Sequence, residues 1–234
     1  SFSPSAAESA CALSTECLRS VLKLRLSSSV DAWTTFLDRV AMLKEVNLLN
    51  VSNDQHRYVF WMNVYHTLLL HSRLMLGSSN TPYRFFKHAR SVAYDIFAFP
   101  HRNVFSLHEI EHFILRGQSK KPSTGFITTM FLPSCNKDDV KWDMAPRSAE
   151  PRLNLILNYV TTSSPPRIPV FVAAGNGEEE EKEEEKKERS ISSIDRQLDV
   201  AASSFLKHCT VVHADEKKVY IPKVLGWYRN DFLS

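Results

Sequence analysis

The chain has only six glycines in 234 residues, and none falls in a P-loop or a dinucleotide-binding pattern. Phosphate cradling by a glycine-rich loop is therefore not expected, and no cofactor is expected on any other ground. No apolar run reaches the ~18 residues that a membrane span needs. The N-terminus lacks the basic region and apolar core of a signal peptide. The first residue is Ser rather than Met, as in a processed or excised piece of a longer protein. The four cysteines, Cys11, Cys17, Cys135 and Cys209, form no C-x-x-C pair. A core of this size needs no staples, so free thiols in a cytoplasmic setting are expected. Basic residues between Arg84 and Arg90 are too few for a nucleic-acid surface.

What is present is ordinary in bulk: 43% hydrophobic and 24% charged residues, typical of a globular domain. The net charge of +3 conceals an asymmetry. The run Glu178–Arg189 holds eight acids and four bases, leaving 25 Lys and Arg against 18 Asp and Glu elsewhere. Early stretches repeat apolar residues at helical spacing: Cys11–Leu26, then Asp31–Leu49 with Trp33, Phe36, Leu37, Val40 and Leu43 on one face and Ser29 or Asp31 as cap. Ser106 and Glu109 form a capping box opening a helix to Arg116, with Gly117 at its end. Residues 168–172 read as a strand, as do 210–213 and 218–221 around a turn. The mixture predicts an α+β fold: a helical N-terminal half packed on a small, mostly antiparallel sheet in one domain. Residues 1–29 read as a tail and helix, residues 30–234 as the domain, and 174–189 as an acidic insertion.

Residues 57–71 are the most informative stretch. They are apolar nearly all round, as in a buried helix. Yet Asn63, His66, Thr67 and His71 share one stripe of it. Buried polar groups need partners, at a cost of about 1–3 kcal/mol for each one orphaned. A polar counterpart must face them. Asn63, His71, Glu111 and His112 are expected to form one buried hydrogen-bond network joining two helices. A second pattern is His108-Glu109-Ile110-Glu111-His112, which matches the zinc-peptidase spacing H-E-x-x-H. Against a metal stands the double duty of Glu109, which is also the capping-box residue, and the lack of a third ligand at a recognised spacing. If any residues hold zinc, they are His108 and His112.

These motifs together resemble the family catalogued as domain of unknown function 547. Its F-W-x-N-x-Y-N-x-L-x-x-H is similar to Phe60–His71. Its S-L-x-x-I-E-H-x-x-L-R is matched by Ser106-Leu107, Ile110-Glu111-His112 and Leu115-Arg116. Its acid-P-R-x-x-x-x-L is matched by Glu150-Pro151-Arg152 and Leu157, and its C-terminal L-P-x-x-x-x-W-Y-x-x-D-F resembles Ile221-Pro222, Trp227-Tyr228 and Asp231-Phe232. The motif set is also similar to a remote papain- or transglutaminase-like arrangement.

The departures matter. Where most members carry C-G-x-x-S-C-P, this chain reads Tyr159 through Pro165, with Tyr159 and Ser164 replacing both cysteines. Phe97-Ala98 stands where a glycine pair is usual, and His66 where Asn is often found. The resemblance then implies a catalytically degenerate scaffold domain with a protein partner. One alternative is an active hydrolase or transferase using His112, oriented by Glu111 and Asn63, with Ser164 or an unplaced Cys as nucleophile. A second is a zinc peptidase through His108, Glu109 and His112.

Overall fold

The computed structural model describes residues 6–24, 29–77, 82–97, 103–119, 139–158, 165, 167–173 and 193–233, with side chains left aside at 82–86. The fold is arranged around one helix, α3 (Asp54–Leu76). Every position from His56 to Leu70 on it is buried. A helix apolar all round can only sit inside, so the other elements wrap it. Asn53 caps its start through the Gln55 N–H, and Gly77 ends it at φ 76° with its N–H on the Arg73 carbonyl.

Two helices cover one side. α1 (Ala6–Leu24) lays Cys11, Thr15, Cys17 and Leu18 against α3. It starts five residues earlier than its apolar spacing predicts. α2 (Val30–Met42) is capped by Ser29, whose side chain accepts from Ala32 N–H. It closes a second apolar cluster in which Phe36 meets Leu18, Val21, Leu24 and Leu70. α2 stops well before Leu49: a 3-10 turn at Leu43–Glu45 drives Leu43 into the core, and Asn47 then turns the chain by accepting from Leu49 N–H. Local side-chain bonding of this kind competes with helix continuation. Leu37, placed on the apolar face by spacing alone, is 47% exposed.

Further along, α4 (Pro82–Ser91) leads into β1 (Ala93–Asp95), which pairs antiparallel with β2 (Val104–Ser106). The capping box at Ser106 and Glu109 is formed as expected and opens α5 (Leu107–Glu109). α5 widens at once into a π turn, Ile110–Leu115, closed by Arg116 N–H on the Glu111 carbonyl. Gly117 follows because there is no room for more: a Cβ there would lie 2.3 Å from the Phe113 carbonyl oxygen and 2.7 Å from the Trp142 ring. Then come α6 (Val140–Asp143), α7 (Leu153–Ile156), α8 (Ile194–Cys209), the hairpin β3 (Val211–His213) and β4 (Lys218–Tyr220), and α9 (Lys223–Trp227).

The fold is α+β. Its strands form two separate two-stranded antiparallel ladders among the described residues. The predicted strand at 168–172 joins neither, because side chains from two helices take the bonds that a neighbouring strand would have made. No helix among the described residues is long and apolar enough to cross a membrane. Ser164, Tyr159, Cys135 and the acidic run 174–189 lie outside the described residues.

Candidate functional site

The polar side chains of α3 bond mainly to the backbone of irregular segments. Asp54, Arg57, Tyr58 and Trp61 recur at i, i+3, i+4 and i+7, so they share one face. That face grips residues 144–148. Asp54 accepts the N–H groups of Arg147 and Ser148 at 2.9 Å each. Arg57 donates to the carbonyls of Val51 and Ala145 at 2.6 Å. Tyr58 donates to Ser148 C=O at 2.5 Å and Trp61 to Met144 C=O at 2.9 Å.

Asn63 lies on another face, where it meets the extended segment 167–173. Its amide accepts from Phe171 N–H at 3.1 Å and donates to Phe171 C=O at 2.8 Å. Thr15 of α1 donates to the same carbonyl at 3.0 Å. On the next residue, Gln197 of α8 repeats the arrangement with Val172 N–H and C=O, at 3.0 and 2.8 Å. Two side-chain amides therefore stand in for strand partners.

His66 Nε2 lies 3.4 Å from the Asn158 N–H and faces it as acceptor. Burial holds its pKa down at about 4, so the ring is neutral. Thr67 donates to Asn63 C=O within the helix. His71 Nδ1 sits 2.8 Å from the Tyr94 hydroxyl, against Phe36 and Trp33, and burial lowers its pKa.

The second motif gathers elsewhere. Glu111 and His112 lie on the π turn, with His112 Nε2 3.5 Å from Glu111 Oε1. The side chain of His112 is 17% exposed. Burial, aided by the nearby Arg116 guanidinium, holds its pKa down at about 3. The residue of α3 that meets Glu111 is Tyr65, two positions and about 200° round the helix from Asn63. Burial and the Glu111 carboxylate push the Tyr65 phenol well above its usual range, and its hydroxyl is 3.3 Å from the Asn158 carbonyl. The expected four-residue network is thus divided. Asn63 holds Phe171, His71 holds Tyr94, and Glu111, with His112 beside it, faces Tyr65, because positions 63 and 65 point to opposite sides of one helix.

Spacing arguments passed over a buried ion pair. Arg116 Nη2 donates to Asp231 Oδ2 at 3.1 Å, with both side chains 4% exposed. Asn154 donates to the same oxygen at 3.0 Å, and the Arg116 guanidinium lies 3.7 Å from the Tyr228 ring centroid. These four residues come from three of the motif segments, and being polar within those segments was the available signal.

The zinc-like residues are close but otherwise engaged. His108 and His112 rings meet edge-on with centroids 4.7 Å apart. Glu109 accepts from Ser106 N–H at 2.9 Å and from Lys141 Nζ at 2.7 Å. Burial raises its pKa, but the Lys141 and Ser106 bonds outweigh this and leave it lowered. Among the described residues, no group of three His, Cys, Asp or Glu is placed to hold a metal. Three cysteines are described and all are free. Burial pushes Cys11 and Cys17 up to about 12 and raises Cys209.

A central buried helix that binds irregular segments through its polar side chains, joined to a capped π-turn helix, defines a class of α+β domain. The particular family follows from its sequence: the family model described as "Protein of unknown function, DUF547" matches residues 49–188, and the chain belongs to that family. No curated protein and no solved structure matches the chain.

Proposed function

We propose that this chain is a catalytically degenerate member of its family, acting as an interaction or scaffold module within a larger protein or assembly. One observation carries the reading. On the hallmark helix, Asp54, Arg57, Asn63 and His66 are all engaged with the protein's own backbone. Asn63 in particular is committed to Phe171 and cannot also orient His112. The thiols add support. A thiolate, not a thiol, is the nucleophile, and the three described cysteines all have raised pKa values. Glu109, tied to Ser106 and Lys141, is poorly suited to act as general base for a zinc-bound water.

The competing reading is a hydrolase with His112 as base. It draws on the neutral, partly exposed His112 beside Glu111 on a π turn, a feature frequent at functional sites. Treating the native chain with a fluorophosphonate and with iodoacetamide, then mapping adducts by mass, separates the two. The scaffold reading expects no labelling faster than that of the chain unfolded in urea. Stoichiometric labelling at Ser164 that vanishes in His112→Ala establishes the hydrolase instead. The zinc reading is decided by metal analysis of untagged protein purified without added zinc.

A further inference from the structure

We propose that the outer edge of β4 docks an extended segment of a partner protein, apolar in its middle and acidic at both ends. The inference rests on the interaction-module reading and names its surface. The β3–β4 hairpin is a two-stranded ladder with no further strand among the described residues. Two strands alone are marginally stable in water, and an unpaired edge is a template for another strand.

The hairpin also exposes apolar side chains on both faces. Val211, Val212, Val219, Tyr220 and Ile221 are between 50% and 66% exposed. Contiguous apolar exposure of this kind marks an interaction site more often than a bare surface. Strand addition at β4 would cover Val219, Tyr220 and Ile221 together with the backbone edge, main-chain bonds giving affinity and alternate side chains giving specificity.

Charge selects the occupant. From 217 to 223 the chain reads Lys-Lys-Val-Tyr-Ile-Pro-Lys, three bases and no acid, with the apolar residues in the middle. Lys217, Lys218 and Lys223 are all exposed. Lys218 pairs with Glu216 at 2.9 Å, but both side chains are more than half exposed, so the pair restrains it weakly. Pro222 has no N–H and ends the edge. An incoming strand therefore meets a basic group at each end. A second copy would bring like charges together, and an anionic membrane would meet Asp215 and Glu216 at the tip of the turn.

The test uses two labelled peptides of alternating Val and Thr, one with two Glu at each end and one with two Lys. Fluorescence anisotropy at low salt is expected to show the acidic peptide binding at least about tenfold tighter than the basic one. Amide shifts should concentrate at 218–221. In Lys217→Glu/Lys223→Glu, two exposed positions that leave the core untouched, the preference should reverse. Equal binding of both peptides, or none, overturns the proposal. So does sedimentation as a dimer that shields these amides, or uptake by phosphatidylserine vesicles with no peptide binding. Labelling in the nucleophile assay together with acidic-peptide binding would remove the scaffold reading and leave the docking edge. No labelling and no peptide binding would do the reverse.

Discussion

The Asn63 side chain and the Phe171 peptide unit close a ring of two hydrogen bonds, N–H to Oδ1 at 3.1 Å and Nδ2 to C=O at 2.8 Å. A strand neighbour would make the same two bonds. One side chain, supported by Thr15, therefore fixes a segment that lies 108 residues away in the sequence and joins no sheet.

Removing that ring has a calculable cost. Asn63→Leu leaves the Phe171 N–H and C=O buried with fewer partners, and should lose about 1–3 kcal/mol of stability in urea unfolding. Gln197→Leu removes the equivalent ring on Val172, where water can replace it, and should lose less than about 1 kcal/mol. Equal losses would show that burial is not what makes Asn63 matter.

The Arg116–Asp231 pair should show the asymmetry of buried ions. Asp231→Ala strands a guanidinium that is 4% exposed and should cost about 3–5 kcal/mol. In Arg116→Met/Asp231→Ala neither charge remains, so the double variant should be more stable than Asp231→Ala alone. A double-mutant cycle from denaturant midpoints measures this. Simple additivity of the two single losses would mean that the ions are not coupled.

Acid should weaken the fold through His66. Its pKa is 6.5 when unfolded and about 4 when folded, so below pH 6.5 the unfolded chain takes up the proton first. Stability is therefore full above pH 6.5 and falls as pH drops towards 4, by about 3 kcal/mol if His66 acts alone. His112, at about 3 when folded, extends the loss further down. His66→Asn keeps an acceptor for the Asn158 N–H but does not titrate. Its unfolding free energy should fall less steeply between pH 6.5 and 4.5, and a slope like that of the parent chain would contradict the assignment.

Much of this architecture was legible in the sequence, for reasons that are local. The all-apolar run demanded a central helix, Ser106 and Glu109 wrote their own cap, and Ser29 marked a helix start. What spacing could not supply was the partner of each polar group. Asn63 and Tyr65 are two residues apart, and each carries a hydrogen-bonding group. Only the packing of α1, the π turn and the 167–173 segment decides that one meets Phe171 and the other Glu111. The strand reading at 168–172 failed for the same reason. Its apolar pattern is strand-like, but Asn63 and Gln197, remote in sequence, occupy its edges. Arg116 and Asp231 are 115 residues apart, and nothing nearby in the chain announces their pairing.

Phe97 tests a departure that the sequence did reveal. It stands where the resemblance to the family implies glycine, and its φ is +53°, a region that costs most residues about 1–2 kcal/mol. The strain is held by its N–H on the Leu43 carbonyl at 3.2 Å and by Asn103 Nδ2 donating to its C=O at 2.8 Å. The ring, packed against the core, offsets it. Phe97→Ala loses the ring and keeps the strain, whereas Phe97→Gly loses the ring and relieves it. The glycine variant should therefore be more stable than the alanine variant by about 1 kcal/mol, the reverse of the order expected where φ is negative. Thermal or urea midpoints of the two proteins decide it. An alanine variant at least as stable as the glycine one would mean that the backbone at 97 relaxes once the ring is gone.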